Sequence, residues 1–170
     1  EKVLDLACGN GQFARRMTEF GVMVTGVDIS PEQIKNAKAR SESYGKKIVF
    51  MVGDVTNESL VSELQDHQFD AISCAMGIMD IAEIKPLALL AARLLKAGGR
   101  FVFSILHPAF NSTKGAIRVK ELEEHDNGTV SETFSIKIKN YIRPVAYKGV
   151  AMVGQPMPQY YFHRSISTLL

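Results

Sequence analysis

Three short segments of this sequence carry residue types that hold small ligands, and each directly follows an apolar run. In the first, Gly9 and Gly11 let the backbone turn sharply and approach a ligand where a Cβ atom would collide. In the second, the carboxylate of Asp28 can accept hydrogen bonds from both hydroxyls of a ribose. In the third, Asp54 can accept one from an exocyclic amine at the edge of an adenine. These residue types indicate a site for an adenine nucleoside.

Two apolar residues support the same interpretation. Ile29 follows Asp28, and Val55 follows Asp54, so their side chains are placed to hold a flat purine between them. Asp28 also has a structural interpretation as a helix cap, although Ser30 already fills that position. Asp54 likewise fits an ordinary turn. The pairing of the two acids favours ligand binding over these structural alternatives.

Strands and helices are predicted to alternate through roughly the first 106 residues. Five short apolar runs are predicted as strands, at residues 3–6, 23–27, 48–52, 69–74 and 101–106. Their hydrophobicity is continuous rather than alternating, which is typical of strands buried on both faces of a parallel sheet. Helical patterns fill the gaps, and one begins at the capping box of residues 30–33. Ligands bind beyond the carboxyl ends of such strands, where the three segments lie.

The sequence changes character from His107 onward. Residues 133–141 alternate strictly, with Phe134, Ile136 and Ile138 on one face, which predicts a half-exposed antiparallel strand. A turn at residues 126–128 precedes it, and residues 141–149 are the candidate partner strand. We therefore expect a β-rich insertion after the fifth strand.

The ordered set of motifs resembles the class I, Rossmann-like family of S-adenosylmethionine-dependent methyltransferases, in particular those that act on small molecules. The resemblance covers roughly the first 106 residues. Any one motif alone is weak, but five in order at compatible spacing are specific. They lie at residues 3–10, 27–31, 53–55, 69–74 and 95–101.

The resemblance implies that the chain binds S-adenosylmethionine, with S-adenosylhomocysteine as the product. In that family Gly9 and Gly11 would line the methionine moiety, and Asp5 would orient this region through the loop. Ala7 is a departure, because the family often has glycine there. The cofactor-binding residues implied by the motifs are Asp5, Ala7, Gly9, Gly11, Asp28, Ile29, Asp54, Val55, Cys74 and Ala75.

The fold class that follows is α/β: a doubly wound, mostly parallel sheet in the order 3-2-1-4-5, with helices on both faces and a β-rich insertion after strand 5. We expect a single domain overall, with the cofactor-binding core at residues 1–106, an insertion or lid with the acceptor side at 107–165, and the start of a further helix at 166–170. The chain is expected to be truncated at both ends. Strand 5 would then be a sheet edge, which invites a homodimer.

Two histidines are the candidates for chemistry on the acceptor side. His107 follows the fifth strand, and His163 precedes the final helix, an arrangement that resembles bacterial small-molecule methyltransferases. We expect His107 or His163 to act as a base or to bind the acceptor, and the insertion to form a lid. A general base is needed only if the acceptor must lose a proton. A purely structural role for either histidine stays open.

Two other functions fit parts of the sequence. Residues 9–14 match the glycine pattern of a nicotinamide-dependent oxidoreductase, and Asp28 lies at a compatible distance. Asp5 inside the first strand, and Gly53-Asp54 after the third, have no role in that fold and argue against it. A non-catalytic, regulatory module that binds S-adenosylmethionine would carry the same cofactor motifs as an enzyme.

Composition narrows the range of partners. The chain has 170 residues, and its 20 basic and 18 acidic residues give a formal charge of +2, so we expect no nucleic-acid partner. No apolar run approaches the ~20 residues of a membrane helix, so no membrane interaction is expected. Two cysteines suit the reducing cytoplasm, and no Cys/His spacing suggests a metal. The expected partner is a small-molecule methyl acceptor.

Overall fold

The computed structural model describes residues 1–64, 68–110, 116–150 and 154–169. The chain divides into two compact units, Glu1–Ile105 and Leu106–Leu170, and each is described by itself. Leu170, the end of the predicted final helix, lies outside the described residues, as do parts of the predicted insertion. In the described part of the chain, no helix combines the length and hydrophobicity needed to span a bilayer.

A five-stranded parallel sheet forms the centre of the first unit. Its strands follow the order β3-β2-β1-β4-β5, which confirms the predicted fold class. Four of the five residues of β1 are buried, as expected of a central strand with neighbours on both sides. The strands are β1 Lys2–Leu6, β2 Met23–Asp28, β3 Ile48–Val52, β4 Phe69–Ala75 and β5 Leu95–Ser104.

Helices connect these strands and pack around the sheet. Ser30 caps the second helix, because its side chain accepts a hydrogen bond from the backbone N–H of Gln33. This confirms Ser30 as the N-cap of the predicted capping box, but the backbone N–H of Ser30 donates to Asp28 rather than to the side chain of Gln33. Short 3-10 segments lie at Glu42–Lys47 and Ile78–Asp80. The helices of the first unit are α1 Gln12–Glu19, α2 Pro31–Arg40, α3 Glu58–Leu64 and α4 Ile84–Leu94.

The buried face of α1 consists of small residues. Ala14 and Thr18 are buried in this helix, and the hydroxyl of Thr18 donates a hydrogen bond to the carbonyl of Ala14. Phe13 and the C-cap residue Phe20 are exposed, whereas Met17, which shares their helical spacing, is partly buried against the core. The sequence therefore predicts the helix correctly, but its largest apolar side chains do not enter the core.

The second unit contains two antiparallel ribbons and a short helix. Hydrogen bonds between His125 and Thr129 and between His125 and Gly128 close the turn of the first ribbon, as predicted. The prediction that residues 141–149 pair with the alternating strand is wrong, because β7 pairs with β6 and β8 pairs with β9. The elements are β6 Ala116–Glu124, β7 Val130–Ile138, β8 Val145–Gly149, β9 Gln159–His163 and α5 Ile166–Leu169.

Candidate functional site

The turn between β1 and α1 is built from left-handed backbone. Ala7, Gly9 and Gly11 have φ angles of 54°, 51° and 75°. A Cβ on Gly11 would lie 2.5 Å from Cζ of Phe50, whereas a Cβ on Gly9 would meet nothing within 4 Å. Gly11 is thus required for packing against β3, and Gly9 leaves open space next to the backbone. Of the two glycines, Gly9 is the one positioned for the close approach of a ligand.

Asp28 lies at the carboxyl end of β2 and joins this turn to α2. Its Oδ2 accepts a 2.7 Å hydrogen bond from the backbone N–H of Gly9, and its Oδ1 accepts one of 2.9 Å from Ser30. The side chain is fixed by these bonds, and the residue is 9% exposed. Each carboxylate oxygen retains a further lone pair. Asp28 can therefore accept one additional hydrogen bond at each oxygen from a ligand.

Asp5 is a buried acid in the middle of the sheet. It is 1% exposed, and its Oδ1 accepts a 2.9 Å hydrogen bond from the hydroxyl of Ser73 on β4. Its Oδ2 has no hydrogen-bond partner among the described residues. Burial raises the pKa of Asp5 to about 7; the Ser73 bond lowers the pKa, and the negative charge of Asp28 raises it further. Asp5 thus connects β1 to β4 under the ligand-facing turn.

Two predicted cofactor residues, Asp54 and Val55, follow the end of β3, the first in a turn and the second buried. Oδ1 of Asp54 accepts hydrogen bonds from both the backbone N–H and the hydroxyl of Thr56, which is the geometry of an Asx turn. Val55 is buried, whereas Ile29, after β2, is 66% exposed. Of the predicted purine clamp, only Ile29 presents a free apolar surface. One carboxylate oxygen of Asp54 is not used by this turn.

The end of β4 forms the wall next to the β1 turn. Met76 has a φ angle of 60°, and its backbone N–H donates a 2.9 Å hydrogen bond to the carbonyl of Ser104. A Cβ on Gly77 would lie 2.6 Å from the Cβ of Ala7, so the two strand ends are in close contact. Cys74 is fully buried, which leaves the exposed part of this wall to Ala75 and Met76.

A cavity of about 700 Å³ lies next to the β1–α1 turn, helix α1 and the end of β4. It brings together three of the predicted cofactor residues, Ala7, Gly9 and Ala75, and Asp28 is one hydrogen bond away through Gly9. The other predicted cofactor residues do not line it: Asp5, Gly11, Asp28, Ile29, Asp54, Val55 and Cys74. Lining residues that the sequence does not single out include Asn10, Phe13, Arg15 and Arg16.

Residues 4–103 match the family described as "Methyltransferase domain". The chain belongs to the methyltransferase-domain family. The match includes the β1 turn, Asp28 and the end of β4, and it separates the two interpretations of the glycine pattern at residues 9–14. That turn belongs to a methyltransferase domain rather than to a nicotinamide-binding one.

Individual proteins that are similar to this chain are also named as methyltransferases. The ubiquinone biosynthesis O-methyltransferase of Idiomarina loihiensis is 32% identical over 107 residues, which are 63% of this chain and 43% of that protein. The chain thus matches less than half the length of this relative. A TehB-like SAM-dependent methyltransferase from Corynebacterium glutamicum is 30% identical with a TM-score of 0.51, over 60% of this chain and 53% of that chain.

A second solved structure supports the fold. The S-adenosylmethionine dependent methyltransferase from Mesorhizobium loti has a TM-score of 0.67 at 21% identity, over 99% of this chain and 69% of that chain. At this identity the likeness concerns the fold alone. It agrees with the strand order of the central sheet described above.

The two cysteines of this methyltransferase domain are buried, inert thiols. Cys8 and Cys74 are both free and buried. Burial raises the pKa of Cys74 to about 12 and that of Cys8 further still, with the negative charge of Asp5 adding to both. A thiol with so high a pKa is a poor nucleophile at neutral pH. Among the described residues, no group of three or more His, Cys, Asp or Glu side chains could hold a metal ion.

The predicted acceptor-side histidines both lie in the second unit. Nδ1 of His107 accepts a 3.2 Å hydrogen bond from the backbone N–H of Ala109, and its ring lies 5.1 Å from that of Phe110. In the neutral form this bond assigns the ring proton to Nε2. His163 is buried, and its Nε2 lies 3.0 Å from the carbonyl oxygen of Tyr141, to which it donates. His163 thus has a structural partner, while His107 is exposed.

Proposed function

We propose that this chain is the cofactor-binding core of an enzyme that transfers a methyl group from S-adenosylmethionine to a small-molecule acceptor. The observation that carries the proposal is Asp28, a fixed carboxylate with one free lone pair on each oxygen, beside the open space over Gly9. Two adjacent hydroxyls of a ribose match this pair of acceptors. Membership of the methyltransferase-domain family supplies the reaction class.

Different residues at the strand ends fit different parts of the cofactor. Asp28 would bind the ribose, and the backbone of Gly9 with Ala75 would contact the methionine end. The free oxygen of Asp54 is available for the adenine amine, and Ile29 for one face of the purine. Their positions at the ends of β1 to β4 agree with the general location of ligands in parallel sheets. Val55 and the side chain of Cys74 would contribute through packing, because both are buried.

Methyl transfer mainly requires that the acceptor atom, the methyl carbon and the sulfur of the cofactor be aligned. When bound, S-adenosylmethionine supplies a methyl carbon that its sulfonium already activates toward in-line displacement. The chain's own contribution would be to hold the ligand at fixed backbone positions and to exclude water with Ala75, Met76 and Phe13, which line the cavity. Such a site needs few catalytic groups.

The acceptor is proposed to be a hydroxyl of a small molecule. The relatives named as O-methyltransferases support this choice. A hydroxyl must lose its proton, and we propose His107 or His163 as the group that receives it or holds the acceptor. His107 would have to give up the hydrogen bond from Ala109 to accept a proton at Nδ1. Loss of turnover in His107→Asn, with turnover retained in His163→Gln, would identify His107; the converse would identify His163.

We propose that the protein acts in the cytoplasm and forms a homodimer. Two free, buried thiols suit a reducing cytoplasm. β5 is an edge of the described sheet, and we propose a homodimer through this edge. Sedimentation equilibrium of the 170-residue chain tests the dimer: a single monomer mass at high micromolar concentration would refute it.

Calorimetric titration tests the cofactor. The wild-type chain is titrated with S-adenosylmethionine, S-adenosylhomocysteine and NADH, alongside Asp28→Ala and the matched control Asp126→Ala, an exposed turn acid. We expect micromolar binding of the first two ligands, loss of binding in Asp28→Ala and no change in the control. Binding of NADH alone would refute the proposal. Turnover of an identified acceptor then separates an enzyme from a regulatory binding module.

A further inference from the structure

Arg15 makes two contacts that the proposed function does not use. Its Nη1 donates a 2.8 Å hydrogen bond to the backbone carbonyl of Asn10 and lies 3.3 Å from the hydroxyl oxygen of Ser41. Asn10 is the residue between the two glycines of the β1–α1 turn. Ser41 is buried and caps the carboxyl end of α2. Arg15 thus connects the ligand-facing turn to the far end of α2.

The turn is consequently held at two points by the same helix. Gly9 is bound by Asp28, and Asp28 is fixed in turn by the N–H of Ser30 at the start of α2. Asn10 is bound by Arg15, which reaches Ser41 at the end of α2. Because both anchors depend on α2, the backbone between Gly9 and Gly11 has little freedom to move relative to Asp28.

Arg15 and its neighbour Arg16 differ in how their charges are paired. Among the described residues, Arg15 forms no ion pair, and it is half-buried at the edge of the cavity. The next residue, Arg16, provides a contrast: its side chain is 73% exposed and pairs with Glu19 on the same helix. A guanidinium without a carboxylate partner makes a charge-assisted hydrogen bond to a carbonyl, which is stronger than a neutral one.

We infer that Arg15 is a positioning residue for cofactor binding: it holds the carbonyl of Asn10 so that the turn keeps its ligand-ready shape before the cofactor arrives. The inference rests on the proposed function for the identity of the ligand. A preformed turn loses little conformational entropy when the ligand binds, so the ligand binds more tightly. Loss of one charge-assisted hydrogen bond corresponds to about a tenfold weaker binding.

The test compares matched variants of the 170-residue chain by calorimetry with S-adenosylhomocysteine. We expect about tenfold weaker binding for Arg15→Ala and an intermediate loss for Arg15→Lys, since lysine keeps the positive charge but carries it as a compact ammonium on a flexible stem. Ser41→Ala, which removes only the longer contact, should weaken binding about twofold. Arg93→Ala, at an exposed arginine of α4 that does not line this cavity, should bind as the wild type does. Equal affinity of Arg15→Ala and Arg93→Ala would overturn the inference.

Amide hydrogen exchange of the unliganded chain separates positioning from general stability. In Arg15→Ala the amides of Gly9 and Gly11 should exchange about tenfold faster, while those of β1 and β2 keep their protection. Uniformly faster exchange, or a lower free energy of unfolding with unchanged loop exchange, would make Arg15 merely structural and would overturn the inference. This arm needs no ligand. If the wild type binds no S-adenosylhomocysteine, the proposed function fails, and the exchange data still decide the role of Arg15.

Discussion

Replacing Asp5 with asparagine should remove a large pH dependence from the stability of this domain. The pKa of Asp5 is about 7 in the folded chain against an ordinary value of 3.8. In the unfolded chain the carboxyl ionises above pH 3.8, whereas in the fold it keeps its proton up to about pH 7. The native state therefore binds more protons between these values, and stability falls as pH rises through this window.

The magnitude follows from the two pKa values. Their difference corresponds to about 4 kcal/mol in total, because a tenfold change in proton affinity is about 1.4 kcal/mol. Between pH 5 and pH 8 the ionisation of Asp5 should cost about 2.5 kcal/mol of the free energy of unfolding. Domains of this size are stable by only about 5–15 kcal/mol, so the effect is well within measurable range.

Urea-induced unfolding followed by circular dichroism measures the effect. The free energy of unfolding is determined for wild type and Asp5→Asn at both pH values, and the variant difference at pH 5 is subtracted from that at pH 8. Other titrating groups cancel in this double difference. We expect the asparagine variant to gain about 2.5 kcal/mol relative to wild type on going to pH 8. A double difference near zero, or equal to that of the exposed control Asp126→Asn, would refute the reasoning.

Three further predictions concern the same strand ends. Gly11→Ala should lose about 3 kcal/mol of stability in urea unfolding, from strained backbone and collision with Phe50; Gly21→Ala, equally left-handed but with open space, should lose only about 1 kcal/mol, and equal losses would contradict the packing argument. Ala7→Gly should leave stability unchanged or raise it by up to about 1 kcal/mol, because relief of the left-handed strain offsets the entropy of glycine; a larger loss would contradict this. The thiols of Cys8 and Cys74 should resist a thiol reagent in the native chain and react on unfolding, and rapid native reaction would show that they are accessible.

The parallel core could be predicted because its signals are local. Continuous apolar runs such as β3 and the N-cap at Ser30 depend on neighbouring residues only. The order of the strands came from the resemblance to a family, not from composition. The start of β5 was placed too late, since its first residues include Gly98 and Gly99, which read as a helix end.

The antiparallel ribbons were harder to predict for a physical reason. The strand β6, Ala116–Glu124, is mostly exposed and rich in charged residues. It lacks the regular apolar alternation of β7, with which it pairs. Without that signal, the sequence favours the next apolar run, at residues 141–149, as the partner of β7. That run forms β8, whose partner β9 lies ahead of the final helix. Pairing between distant segments is decided by turn length and packing, which a single sequence encodes weakly.

The sequence predicts site residues that act through their side chains, but it does not predict contacts made to backbone atoms. Asp28 stands out by type and position, and the structure places it beside Gly9. Arg15 donates a hydrogen bond to the backbone carbonyl of Asn10, and no pattern of residue types predicts such a bond. The assignments of individual cofactor and acceptor residues, and the division of the chain into core, insertion and final helix, stay predictions.

A crystal structure of the chain with S-adenosylhomocysteine tests the central claim most directly. The account predicts both ribose hydroxyls within hydrogen-bonding distance of the Asp28 carboxylate, one at each oxygen, with the methionine end beside Gly9 and Ala75. A ligand bound elsewhere, or one whose ribose does not contact Asp28, would contradict it.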